Sequence, residues 1–123
     1  MPLSHRLINE SKPSRMRKYN FQLDIDAESD LFENYRYLAL TDSIGQADQL
    51  FDSLKRSCLS LRTSPLRGNI PPELRDVGVS QFREIRLKPY RIMFSIEQIA
   101  VTVHCILDGR RDMQTLLEER LLR

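Results

Sequence analysis

Arginine and histidine are the side chains that bind phosphate or move a proton, and one part of this chain gathers both. Arg91 and His104 stand inside the run PYRIMFSIEQIAVTVHCIL (residues 89–107), which otherwise alternates apolar with other residues, and DGRRD follows at once. Guanidinium groups bind phosphate and carboxylate oxygens in bidentate fashion, and imidazole exchanges a proton near neutral pH. Arg91, His104, Arg110 and Arg111, with Arg83 in the segment before, are therefore the candidate working residues. The competing account is plainer: arginines on a solvated sheet face are common, and His104 taken alone is a neutral bystander.

Two strands must position these groups. A hairpin turning at Glu97–Gln98 pairs Ile96 with Ile99, Phe94 with Val101, Ile92 with Val103 and Tyr90 with Cys105, all facing a core. The other face then carries Met93 opposite Thr102 and Arg91 opposite His104. In the preceding strand Ile85 and Leu87 point to the core, which sets Glu84 and Arg86 beside Arg91 and leaves Arg83 near the edge. The link Lys88–Pro89 suits neither inner position of a tight hairpin turn, so a bulge there is expected to re-aim Arg83.

The rest of the chain supplies a scaffold for that sheet. YNFQLDI alternates Tyr19, Phe21, Leu23 and Ile25 as a half-buried strand. DAESD opens a helix with Asp26 as expected N-cap, and Ala27, Leu31, Tyr35 and Leu38 form its apolar stripe. Ser43 with Gln46 reads as a capping box. Ala47, Leu50, Phe51, Leu54, Cys58 and Leu61 then form the clearest helical period in the chain. Prolines and glycines from Pro65 to Gly78 forbid a long element there. Three strands joined by short links make an antiparallel meander, and Met113, Leu116, Leu117 and Leu121 predict a closing helix. The fold class is α+β: an N-terminal strand, an antiparallel helical hairpin packed on one face of the sheet, the meander and a short C-terminal helix.

At 123 residues the chain is long enough for one domain, 19–123, preceded by an extension over 1–18 that is expected to be flexible and holds five bases against one acid. Residues 19–65 hold four bases and eight acids, and residues 66–123 ten bases and eight acids, so the basic groups gather in the second half. A net charge of +2 is too small to argue for nucleic acid by itself. No apolar run is long enough to span a bilayer and no secretory leader pattern follows Met1, which points to the cytoplasm. Cys58 and Cys105 fit no metal spacing and read as small buried residues. With four glycines there is no phosphate-binding or dinucleotide loop, and His5 lies in the extension, so no metal or cofactor is expected.

The ordered set DAESDLFENYRYLAL, QADQLFDSLKRSCLSL, SPLRGNIPPEL, FREIRL, YRIMFSI and ILDGRRD resembles the RelE/ParE superfamily of toxins from type II toxin–antitoxin systems. The resemblance covers about residues 19–122 and implies a helical hairpin on a curved antiparallel sheet, together with a cognate antitoxin. RelE-like members cut mRNA in the ribosome with a cluster of basic residues and a C-terminal acid/base group. On that branch Arg83, Arg91, and Arg110 or Arg111 match positions of the basic set. A second strand base, however, falls on Ile85, and the C-terminal tyrosine position falls on Leu116 or Leu117. His104 would have to substitute from mid-strand. ParE-like members inhibit DNA gyrase and need no catalytic set, and the long hairpin with GRRD before the last helix is closer to them. On this branch Arg83, Arg91, Arg110 and Arg111 are target-binding residues. An inactive binding module on the same fold is the remaining alternative.

Overall fold

The computed structural model describes residues 18–122. The expected flexible extension therefore lies, except for Lys18, outside the described residues. Strand β1 (Asn20–Leu23) leads into the paired helices α1 (Ile25–Thr41) and α2 (Ile44–Leu59). Two 3₁₀ turns and a short helix α3 (Pro72–Arg75) follow, then β2 (Arg83–Leu87), β3 (Tyr90–Glu97), β4 (Ala100–Asp108) and α4 (Met113–Leu121). The meander β2–β3–β4 is antiparallel as its short links predict, while β1 pairs in parallel with β4. The four-stranded sheet is thus mixed, in the order β1-β4-β3-β2.

Capping explains where the helices begin. Asp24, not Asp26, is the N-cap of α1, its Oδ1 accepting from the Ala27 N–H at 2.9 Å. Asp24 N–H still bonds the Val103 carbonyl, so the chain leaves the sheet at this residue and the helix starts at once. Asp26 and Glu28 then occupy the first turn, where the helix dipole favours negative charge. Ser43 caps α2 as expected, accepting from Gln46 N–H at 3.0 Å.

The hairpin's apolar stripes enclose the larger core. Ala27 of α1 and Leu54, Cys58 and Leu61 of the α2 stripe are buried against Ile92, Phe94, Val101, Val103 and Ile106 of the sheet. The opposite sheet face does not stand in water along its whole length. There Met93, Cys105 and Leu107 are buried under Leu74, Met113 and Leu117 of the α3–α4 segment, a second and smaller core. Helices therefore pack on both sheet faces, and the one-sided arrangement expected from sequence is corrected by the α3–α4 cap. Gly68 lets the chain cross the first core's edge: a Cβ there would lie 2.7 Å from the Phe94 ring.

The β3–β4 register differs from the expected one. The turn places Glu97 opposite Ala100, so Ile96 faces Val101 and Phe94 faces Val103. Between Phe94 and Met93 the register then shifts, leaving His104 as the extra residue of β4, and Met93 pairs with Cys105. Because strand side chains alternate, one extra residue reverses the facing of everything beyond it. Cys105 consequently leaves the hairpin core for the smaller one, and Ile106 takes its place. Pairing of β2 with β3 runs without a shift from Arg83–Phe94 to Leu87–Tyr90, with a cis peptide bond at Lys88–Pro89. The bulge expected at that link is thus in β4 instead.

Candidate functional site

Arg91 emerges from β3 onto the α3–α4 face, and it is 6% exposed. Its Cα partner on β4 is Leu107, not His104. Its Nη1 and Nη2 donate to the two carboxylate oxygens of Glu73 on α3 at 2.8 and 2.7 Å. Its Nε donates to Glu84 Oε1 on β2 at 2.6 Å, and Arg86 donates to the other Glu84 oxygen at 2.9 and 3.2 Å. The planar fork of arginine is what permits this three-point hold. Bonding to Arg91 keeps the Glu73 carboxyl below its ordinary value, against the opposing effect of burial. The same bond to Glu73, with Glu84, raises the Arg91 guanidinium further above its ordinary value. Gly109 presses on the arginine stem, where a Cβ would come within 2.7 Å of Cδ. Arg91 thus braces α3 to two strands, and an anion reaching it must displace Glu73.

The other basic residues do not converge on it. Arg83 lies two positions from Ile85 and pairs with Phe94, which puts it on the hairpin face. There its Nη1 donates to the Gly68 carbonyl at 2.7 Å. Arg110 follows β4 and is held by Asp108, with Nε–Oδ1 at 3.0 Å and Nη2–Oδ2 at 2.6 Å. This bond depresses the Asp108 carboxyl, yet the Arg110 side chain is 74% exposed. Arg111 is also exposed, with its backbone N–H on the Asp108 carbonyl. Tyr90, partly buried opposite Asp108, has its phenol raised chiefly by burial. Tyr90 and Tyr37 both lie near enough to act on the Arg110 charge, and Tyr37 is 66% exposed. Of the five candidate residues, Arg110 and Arg111 are the exposed ones, on a turn near the Tyr37 end of α1 rather than in a row on the sheet.

His104 belongs to a third place. Ser95 lies four positions along β3 from Arg91, about 13 Å of strand, and it is Ser95 that His104 touches. Ser95 Oγ and His104 Nε2 are 2.8 Å apart, and Asp24 Oδ2 stands 2.9 Å from Nδ1. The Phe82 ring meets the imidazole edge-on, with centroids 5.4 Å apart. Sequence reading set Glu84 beside Arg91, as observed, but missed Glu73 as its second carboxylate and Asp24 and Ser95 as the partners of His104. The one local signal was the strand-to-helix switch at Asp24, since an acidic residue ending a strand is as good an N-cap as one two positions on.

Past the end of β1 the exposed side of β4 is closed by side chains. Asp30 accepts from the Ile106 N–H, Asn34 donates to the Ile106 carbonyl, and Arg120 donates to the His104 carbonyl. Arg120 also holds both Asp30 oxygens, at 3.1 and 2.9 Å, and so ties α4 to α1. Burial outweighs these bonds at Asp30 and leaves its carboxyl above the ordinary value. Both cysteines are free and buried, and burial pushes each thiol up to about 12, which makes them unreactive. Among the described residues no group of three metal-ligating side chains occurs, and no helix is long and apolar enough to cross a membrane.

Comparison with known proteins fits this architecture. The family described as ParE toxin of type II toxin–antitoxin system, parDE, matches residues 21–113. No curated protein matches the chain. Among solved structures, a chromosomal ParDE toxin–antitoxin system from P. aeruginosa superposes with a TM-score of 0.61 at 17% identity, covering 76% of this chain and 96% of the other. The toxin–antitoxin complex RelBE2 from Mycobacterium tuberculosis superposes at 0.57 and 15% identity, covering 76% and 93%.

Proposed function

Because the chain belongs to the ParE toxin family of type II toxin–antitoxin systems, we propose that it inhibits DNA gyrase by binding and is neutralised by a cognate antitoxin. The observation that carries this reading is the engagement of Arg91. A ribonuclease on this fold needs free cations around the scissile phosphate and a proton-transfer group beside them. Arg91 instead spends its donors on Glu73 and Glu84, Arg83 lies across the sheet, and His104 is about four strand residues away. Leu117 of α4 is fully buried and Leu116 packs on the same small core, so the position where the nuclease branch has its tyrosine brings no acid/base group. Binding without chemistry asks less, and the exposed Arg110–Arg111 turn beside Tyr37 suits an anionic protein surface.

The antitoxin partner is supported by the matched structures, both toxin–antitoxin systems, and by α1 itself. Ile25, Phe32, Tyr37 and Leu40 are large apolar or aromatic side chains left 57–80% exposed on that helix. Such a surface fits an amphipathic antitoxin segment.

The test is gyrase supercoiling and cleavage with purified protein free of antitoxin. Lost supercoiling or trapped cleavage complexes are expected, and charge reversal of Arg110 and Arg111 together should weaken inhibition roughly tenfold or more, about 1.4 kcal/mol. Unimpaired gyrase with ribosome-bound mRNA cut by the same folded preparation would replace this reading with the mRNA interferase one.

A further inference from the structure

Three polar side chains from distant parts of the chain stand in hydrogen-bond order: Asp24, His104 and Ser95, with separations of 2.9 and 2.8 Å. A carboxylate facing Nδ1 places a proton on that nitrogen. In the neutral ring Nε2 is then an acceptor, and the Ser95 hydroxyl donates to it. This is the tautomer and orientation in which imidazole draws the proton from a serine hydroxyl.

The arrangement is held from every side. Asp24 Oδ1 is fixed by the Ala27 N–H, so Oδ2 is aimed at the ring. Phe82 bears on the ring edge-on at 89°. Arg120 anchors the His104 carbonyl at 3.2 Å. The bulge supplies the remaining condition. As the extra residue of β4, His104 follows Thr102 on the same face and reaches diagonally back to Ser95, the cross-strand partner of Thr102.

This end of the sheet is open. The α3–α4 cap buries Met93, Cys105 and Leu107, but Ser95, Thr102 and His104 remain partly exposed and Gln22 is exposed. Gln22 Nε2 donates to Thr102 Oγ1 at 3.0 Å. Thr102 thereby accepts on one side, and its own hydroxyl proton is available to negative charge developing next to Ser95.

We propose that Ser95 is an activated nucleophile with His104 as its general base and Asp24 as the positioning residue, acting on a small activated acyl ester that approaches the open end of the sheet. Ser95 Oγ bonds to the carbonyl carbon while its proton passes to His104 Nε2, and Thr102 donates to the oxyanion. The carbon–oxygen bond to the leaving alcohol breaks, and the leaving oxygen keeps the electron pair and takes the proton from Nε2. Water, activated by the same ring, then attacks the acyl-serine, releasing the acid and restoring Ser95. The site shares no residue with the Arg110–Arg111 surface, so it stands or falls apart from the gyrase reading.

The experiment uses the full chain and a fluorescent fluorophosphonate, which marks activated serines: the Oγ–P bond forms, P–F breaks and fluoride leaves. One label mapped to Ser95 by peptide mass spectrometry, absent from Ser95→Ala, is expected. Asp24→Asn should slow labelling about 100-fold with the melting temperature unchanged, because asparagine caps a helix as well as aspartate but no longer enforces the tautomer. His104→Gln, which keeps a polar side chain beside Ser95, should slow it as much. A folded wild type that is not labelled, that is labelled elsewhere, or that is labelled no faster than Asp24→Asn overturns the proposal.

Discussion

The two faces of the sheet are held by different physics. On the hairpin face the stripes of α1 and α2 bury Leu54, Leu61, Phe94 and their neighbours by hydrophobic contact, and among the described residues no fully buried charge lies on that face. On the other face a smaller apolar cluster is stitched down by ion pairs, the buried Arg91 with Glu73 and Glu84 at one end and the half-buried Arg120 with Asp30 at the other. A long amphipathic helix buries enough apolar area to stay put. The four-residue α3 and nine-residue α4 do not, and charge fixes where they sit. A small charged cap is also the part of such a fold that chemistry can loosen, since removing one partner leaves a buried charge unpaired.

The largest test of that contrast is Glu73→Ala combined with Glu84→Ala. Together they leave the buried Arg91 with no carboxylate partner and should cost about 3–5 kcal/mol, read from urea unfolding. A cost under about 1 kcal/mol, the worth of a surface pair, would show that the network contributes little. On the apolar face Leu54→Ala should cost about 2–5 kcal/mol by leaving a cavity, without disturbing the α4 face as followed by amide exchange of its backbone. Ser43→Ala, which removes the α2 cap, should cost about 1 kcal/mol. Arg110→Ala, at a side chain 74% exposed, should leave the urea midpoint unchanged while weakening the proposed gyrase inhibition; an altered midpoint would make Arg110 structural.

Acid sharpens the same comparison. Glu73 is held below its ordinary 4.5 by Arg91, so the folded state binds its proton less readily than the unfolded one. Its contribution is present above 4.5 and is lost as pH falls through the depressed value. Asp30 acts in the opposite sense. Raised above 3.8 by burial, it favours the folded state at low pH and loses that contribution as pH rises through the raised value. Glu73→Gln should therefore blunt the loss of stability below 4.5, measured as the shift of urea midpoint between neutral and acid solution. An undiminished acid loss would move the cause to other carboxylates, Asp108 being the next depressed one.

Much of the architecture was legible because it is local. The Ala47–Leu61 period, Ser43 before Gln46, and the short links between strands depend on residues within one or two turns of each other, and each appears where expected. The arginine face was not legible. Pairing Arg91 with His104 assumed a turn at Glu97–Gln98 and unbroken alternation; the turn lies one residue on, which moves the partner of Arg91 two positions along β4, and the bulged residue moves it a third, to Leu107, and turns Cys105 to the second core. No residue type in VTVHCIL marks that extra position.

Composition and spacing by themselves thus determined the α+β class, the hairpin and its buried stripe, because burial periodicity is written at separations of three and four residues. Which cations are free was decided by the tertiary structure. Glu73 reaches Arg91 across 18 positions and Asp24 reaches His104 across 80. A side chain's charge is set by its own type, but its availability is set by the oppositely charged group that the fold brings to it.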